Sequence, residues 1–324
     1  MNNRVFMWSC LVMTFFVACQ QAEVSHPEAE NLRLSISASI TNQGQSPQSR
    51  YAGSDPSHVD FVEHDRIGVF MDGEPAVEWT YQKNSTAELH WKSAEWVYWP
   101  DKDQPHTFHA FYPYEADASL TAVPMPDLSE QDGTWANICE FDFLVATAHQ
   151  SYGTNGVVSF EDDAAFTHVS SLLQLTFKGD SDLSTAVLNK ITLEGADIVT
   201  PSTYSFRASA GEAVQLKSSA SADVLTITPS HTMNGADMQV YFILNEKEST
   251  TGEVSLTVEY TKDSKVYVAH LDGLAGNAFV GGTHQWYTLV IKDGALVISG
   301  ASISDWEGGE SLGNVEINGE KKDA

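Results

Sequence analysis

Leu32-Arg33-Leu34-Ser35-Ile36-Ser37-Ala38-Ser39-Ile40 decides the fold, because apolar residues occupy every second position and Arg or Ser the others. A period of two puts Leu32, Leu34, Ile36, Ala38 and Ile40 on one face of an extended chain, the pattern of a half-buried strand. The next residues, Thr41 to Ser49, are rich in Gln, Ser, Gly and Pro and end at a lone basic residue, Arg50. Exposed loops of that composition are where proteolytic nicking concentrates. Short β-rich runs separated by turn residues then fill the chain. They include Arg66 to Met71, Trp96 to Trp99, Thr107 to Tyr112, Leu172 to Phe177, Lys190 to Leu193 and Val224 to Thr228. Gln239 to Leu244, Val254 to Tyr260, Lys265 to Leu271, Trp286 to Ile291 and Leu296 to Ser299 continue the series. No convincing helical period interrupts it, so the expected class is all-β, with sandwiches favoured by the regular spacing.

Upstream of the first strand, Met1 to Arg4 carries one positive charge, and Val5 to Val17 is mostly apolar. Such a run is too short to span a bilayer comfortably and suits a secretory signal. Phe16-Val17-Ala18-Cys19 resembles a bacterial lipobox, with Phe16 where Leu is usual. The reading is a signal peptide over 1–18, lipidation at Cys19 and a polar tether over 19–31. Cys10 lies inside the signal, leaving Cys139 as a single thiol that cannot form an intramolecular disulfide. The polar stretch Gly179 to Ser184 (GDSDLS) divides the remainder into an N-terminal domain, 32–178, and a C-terminal domain, 179–324.

The 324 residues hold 17 Lys+Arg against 44 Asp+Glu, a formal net charge of −27. That balance repels phosphate backbones, so nucleic acid is not an expected partner. With 42% hydrophobic residues the chain can bury a core and is not a disordered polymer.

Five motifs follow one another in a recognisable order: Asp65 to Phe70; Trp99-Pro100 followed by His106 to Pro113; Asp142 to Ala146; Phe166 to Leu173; and Trp286 to Ile291 followed by Ile303 to Trp306. Behind a lipobox, this order resembles the fimbrillin family of Bacteroidales pilins. The resemblance implies two transthyretin-like antiparallel β-sandwich domains in tandem. It also implies a precursor lipid-anchored at the outer membrane and a cut after an Arg by a trypsin-like protease. The first strand then leaves, and a neighbouring subunit's C-terminal strand fills the groove, supporting adhesion. Leu32 to Ile40 matches the leaving strand and Arg50 the cleavage site, although the same strand could be a permanent part of its sandwich. Leu312, Val315 and Ile317 in the tail 312–324 are the candidate donor residues; the same tail could be a strand of the second domain or frayed. Partners on this reading are other fimbrial subunits, the outer membrane through the anchor, and a host protein or glycan.

Enzymatic signatures are missing: there is no HExxH, G-x-S-x-G, Walker or G-x-G-x-x-G sequence. No cofactor or metal is expected. His106 and His109 are three apart and face opposite sides of a strand, and Glu161-Asp162-Asp163 reads as a solvated turn. A band of aromatics from Trp79 to Tyr114 gives the alternative function, a monomeric lipoprotein binding glycans or host ligands through exposed rings. Core packing is the favoured reading of that band. Trp306, with Ile303, is expected to close the second core.

Overall fold

The computed structural model describes residues 32–41, 60–83, 89–153, 155–179, 184–208, 215–217, 222–247, 253–274, 278–292 and 295–305. The first ten strands are β1 (Ser35–Ala38), β2 (Arg66–Met71), β3 (Val77–Tyr81), β4 (Trp91–Lys92), β5 (His106–Tyr112), β6 (Val123–Pro124), β7 (Leu144–Gln150), β8 (Val157–Phe160), β9 (Thr167–His168) and β10 (Ser171–Phe177). The rest are β11 (Val187–Ala196), β12 (Ser202–Tyr204), β13 (Gln215–Lys217), β14 (Ala222–Ile227), β15 (His231–Thr232), β16 (Met238–Leu244), β17 (Val254–Lys262), β18 (Lys265–Leu271), β19 (Thr283–Lys292) and β20 (Ala295–Asp305). The one α-helix among the described residues, α1, is a single turn at Trp135–Ile138. The protein is all-β.

A six-stranded sheet, ordered β4-β3-β2-β5-β7-β9, forms the centre of the N-terminal half. Arg66–Met71 is continuously apolar after Arg66 because both faces of this strand are covered. Ile67 and Val69 face one core with Trp79, Trp91, Phe108 and Leu144. Phe70 faces another with Phe111, Val123 and Phe143. Gly68 leaves room for the Phe111 ring, which any Cβ at that position would strike. Strands β1 and β8 close the first of these cores with Ile36, Val158 and Phe160, none of them exposed.

The larger core lies between a four-stranded sheet, β16-β10-β19-β20, and a second sheet ordered β14-β11-β17-β18, with β15 also on β11. Leu173, Leu175 and Phe177 from the first meet Leu188, Ile191, Leu193, Leu256 and Val258 from the second. Most pairings are antiparallel, but β1–β8 and β10–β19 run parallel.

Most of the expected break at Gly179 to Ser184 lies outside the described residues. Strand β10 lies before it, yet it pairs with β16 and β19 at the centre of the second core. The two halves are also stitched together. Strand β6 pairs with β12, and Leu128, Ile138 and Phe141 pack into the second core. Gln131 donates to the Ile243 carbonyl at 2.8 Å and accepts from the Ile243 N–H at 2.7 Å. Ile303 is half-buried while Ala301 and Ser302 are buried, so Ile303 is not the closing residue; Trp306 lies outside the described residues. Cys139 is half-exposed and donates to the Ala136 carbonyl.

One buried titratable group gives this core a pH dependence. His284 on β19 sits opposite Gln174 Oε1 at 3.0 Å, and burial lowers its pKa from 6.5 to about 4. Below 6.5 the unfolded chain takes up a proton that the folded state refuses, so this contribution to stability is lost as pH falls toward 4. Wild type should therefore lose about 3 kcal/mol more than His284→Gln between pH 7 and pH 4. Denaturant titrations at the two pH values check this; equal losses would remove His284 from the account.

Candidate functional site

The most informative local arrangement is the seat of the first strand. Its alternation is realised in the structure: Leu34, Ile36 and Ile40 are buried at 4%, 0% and 3% exposure, and Leu32 and Ala38 pack partly buried against the same core. The strand is held by main-chain bonds along both edges. On one side β8 runs parallel in the register Ser35↔Val157 to Ala38↔Phe160. On the other, the Leu34 N–H donates to the Val97 carbonyl and the Trp99 N–H to the Leu32 carbonyl, both at 2.8 Å. Beyond β1, the Thr41 N–H donates to Phe166 O and the Phe166 N–H to Ser39 O. The hydroxyl of Ser37 also donates to the Glu161 carboxylate.

Gly156 shapes one end of this seat. Its carbonyl accepts both the Ser35 N–H and the Trp99 indole N–H, at 3.1 and 2.9 Å. Its φ is +69°, and a Cβ there would come 2.6 Å from the Arg33 carbonyl. A side chain would therefore be strained and would push the first strand outward. The Asn155-Gly156 pair ahead of Val157 is a turn signature that could have marked this position in the sequence. Gly156→Ala should weaken docking of β1 by about 2–4 kcal/mol, combining left-handed strain with overpacking. Hydrogen exchange checks it: the Ser35 amide should lose protection while the Phe242 amide keeps its own. Equal protection of Ser35 in both proteins would refute the role of Gly156.

The other residues singled out from sequence divide into three groups. Cys19, Arg50, Leu312, Val315 and Ile317 lie outside the described residues. The aromatic band is largely core: Trp79, Trp91, Trp99, Phe108 and Phe111 are all at most 4% exposed, whereas Trp96 is 60% and Tyr98 41% exposed. The histidines point apart on β5. His106 is buried and its Nδ1 meets Asp72 at 2.5 Å, while His109 pairs with Thr147 on the opposite face. Glu161 precedes a short 3₁₀ turn at Asp162–Ala164. Among the described residues no three His, Cys, Asp or Glu gather where they could hold a metal.

The geometry is that of a strand bonded along both edges and closing a core. The fimbrillin-like family model matches residues 50–306, beginning after β1. A candidate cell adhesion protein from Bacteroides uniformis superposes with a TM-score of 0.58 at 20% identity, over 85% of this chain and 97% of that one. Another, from Bacteroides ovatus, gives 0.54 at 19% identity, over 85% and 97%. At such identity these two structures establish a shared fold. A search of curated proteins finds no match. With a family match over most of its length, the chain belongs to the fimbrillin-like family.

Proposed function

We propose that this protein is a structural subunit of a cell-surface fimbria, assembled by strand exchange after its first strand is cut away. Membership of the fimbrillin-like family supports the fimbrial role. The precursor is anchored in the outer membrane through acylated Cys19. A trypsin-like protease cuts after Arg50, β1 leaves, and the Leu312–Val315–Ile317 tail of a neighbouring subunit takes its place. Adhesion to a host protein or glycan is then a property of the polymer.

The observation that carries this reading is the way β1 is seated. It contributes only four strand residues, yet Ile36 is wholly buried, and its removal would strip pairing partners from both β8 and residues 97–99. An opened edge with empty apolar pockets is what an alternating donor strand satisfies. Sequencing the N-terminus of the surface-exposed form tests it. Polymer beginning at Tyr51, from a precursor beginning at modified Cys19, is the expected result. Polymer that begins at Cys19 would overturn the proposal.

A further inference from the structure

A cleft of about 320 Å³ opens beside the first strand, within the size range of small-molecule sites. Arg33, Leu34 and Ser35 form one wall, and Trp79, Trp91 and Lys92 on β3 and β4 the other. A smaller pocket of about 40 Å³ shares Leu34 and Trp79 and extends the apolar floor. Two features single out this cleft. In a chain of 17 basic and 44 acidic residues, Arg33 and Lys92 both line it. Neither forms an ion pair among the described residues; the Arg33 guanidinium lies 3.0 Å over the exposed Trp96 ring instead. In addition, Trp91 is 3% exposed and its buried indole N–H has no hydrogen-bond partner among the described residues. A buried donor left unsatisfied is costly, and a ligand acceptor would relieve it.

We infer that the cleft binds a small anionic ring, an acidic monosaccharide. The apolar face of the sugar lies on Trp79 and Leu34. Its carboxylate meets Lys92 and Arg33, where charge-assisted bonds are strongest. Hydroxyl oxygens accept from the Trp91 indole and exchange hydrogen bonds with the Ser35 hydroxyl. Because its walls come from the first-strand segment and from β3 and β4, the occupant bridges that strand to the six-stranded sheet. It therefore slows release of the strand, a consequence that rests on the assembly reading, whereas binding itself does not.

The test uses the uncut, full-length protein, so that failure of strand exchange cannot mask binding. Sodium glucuronate, glucose and sodium benzoate are titrated while tryptophan fluorescence and the indole N–H resonances are followed. Glucuronate should saturate with a millimolar dissociation constant and shift the Trp91 indole resonance, and glucose should bind about tenfold more weakly. Lys92→Gln, at a half-buried position, and Trp91→Phe, which keeps an aromatic ring, should each weaken glucuronate about fivefold or more. Their melting temperatures report whether the fold is intact. Absence of saturable glucuronate binding, equal binding of glucose, or binding of benzoate without glucuronate would each overturn the assignment. So would unchanged affinity in a folded Lys92→Gln protein.

Discussion

An Arg50→Ala protein exposed to a trypsin-like protease should remain a monomer under conditions in which wild type forms ladders that survive heating in detergent. The argument begins with the tether. While residues 42–59 connect β1 to the rest of the chain, its docking is intramolecular and is favoured by the effective concentration that any covalent connection supplies. A donor strand from another subunit competes poorly against that. Cutting after Arg50 leaves β1 held only by its own contacts, and once it dissociates it is diluted into solution. On the proposed assembly a donor with better apolar fit would then take the edge, and the head-to-tail contact would grow without closing. Arg33→Ala is the matched control, since Arg33 is an exposed residue whose side chain stacks on Trp96 and contributes nothing to the buried face. With no small-molecule acid present, it should assemble much as wild type does. Equal polymer yield from Arg50→Ala would eliminate Arg50 as the switch, and monomeric wild type under every condition would favour a monomeric binding module.

Much of the fold is legible locally, because strand signals are local. The apolar run Arg66 to Met71 and the β-rich run Lys265 to Leu271 coincide with β2 and β18, and the alternation of Leu32 to Ile40 gives the correct buried face. Val77–Tyr81 alternates but is only five residues long, Ala and polar residues dilute Leu144–Gln150, and Val157–Phe160 has only four residues. Pairing is not legible at all. β1 runs parallel to β8, and β10 parallel to β19, and both pairs join segments more than 100 residues apart, which no local pattern can announce. Trp96 and Trp99 show the same limit at the scale of one residue. Both belong to one aromatic run, but positions three apart face opposite sides of an extended chain, so one is exposed and the other buried. The carbonyl that accepts the Trp99 indole belongs to Gly156, far along the chain. The sequence shows the turn at Asn155-Gly156 but not what leans on it.

Replacing Ile36 by Asp should separate a removable first strand from a permanent one without any protease. Ile36 is wholly buried among Val158, Phe160, Phe166 and their neighbours. Losing its side chain costs about 2–5 kcal/mol, and a carboxylate placed there adds a desolvation penalty of several more. The strand cannot stay docked against such a cost, although it remains covalently attached. What happens to the rest of the first core then depends on the role of β1. If the strand is an exchangeable element, the six-stranded sheet persists, β8 is left with an open edge, and uncut Ile36→Asp protein self-associates. A synthetic peptide with the sequence of Leu32 to Ile40 should then bind the variant, restore protection of the β8 amides and block association. The same peptide bearing Asp at position 36 should do neither. If β1 is a permanent strand, the first core unfolds with it, the near-ultraviolet signal of Trp79, Trp91 and Trp99 collapses, and no peptide restores it. That second pattern would refute strand exchange, and it would do so while leaving the fimbrillin-like fold untouched, because the family match starts beyond β1.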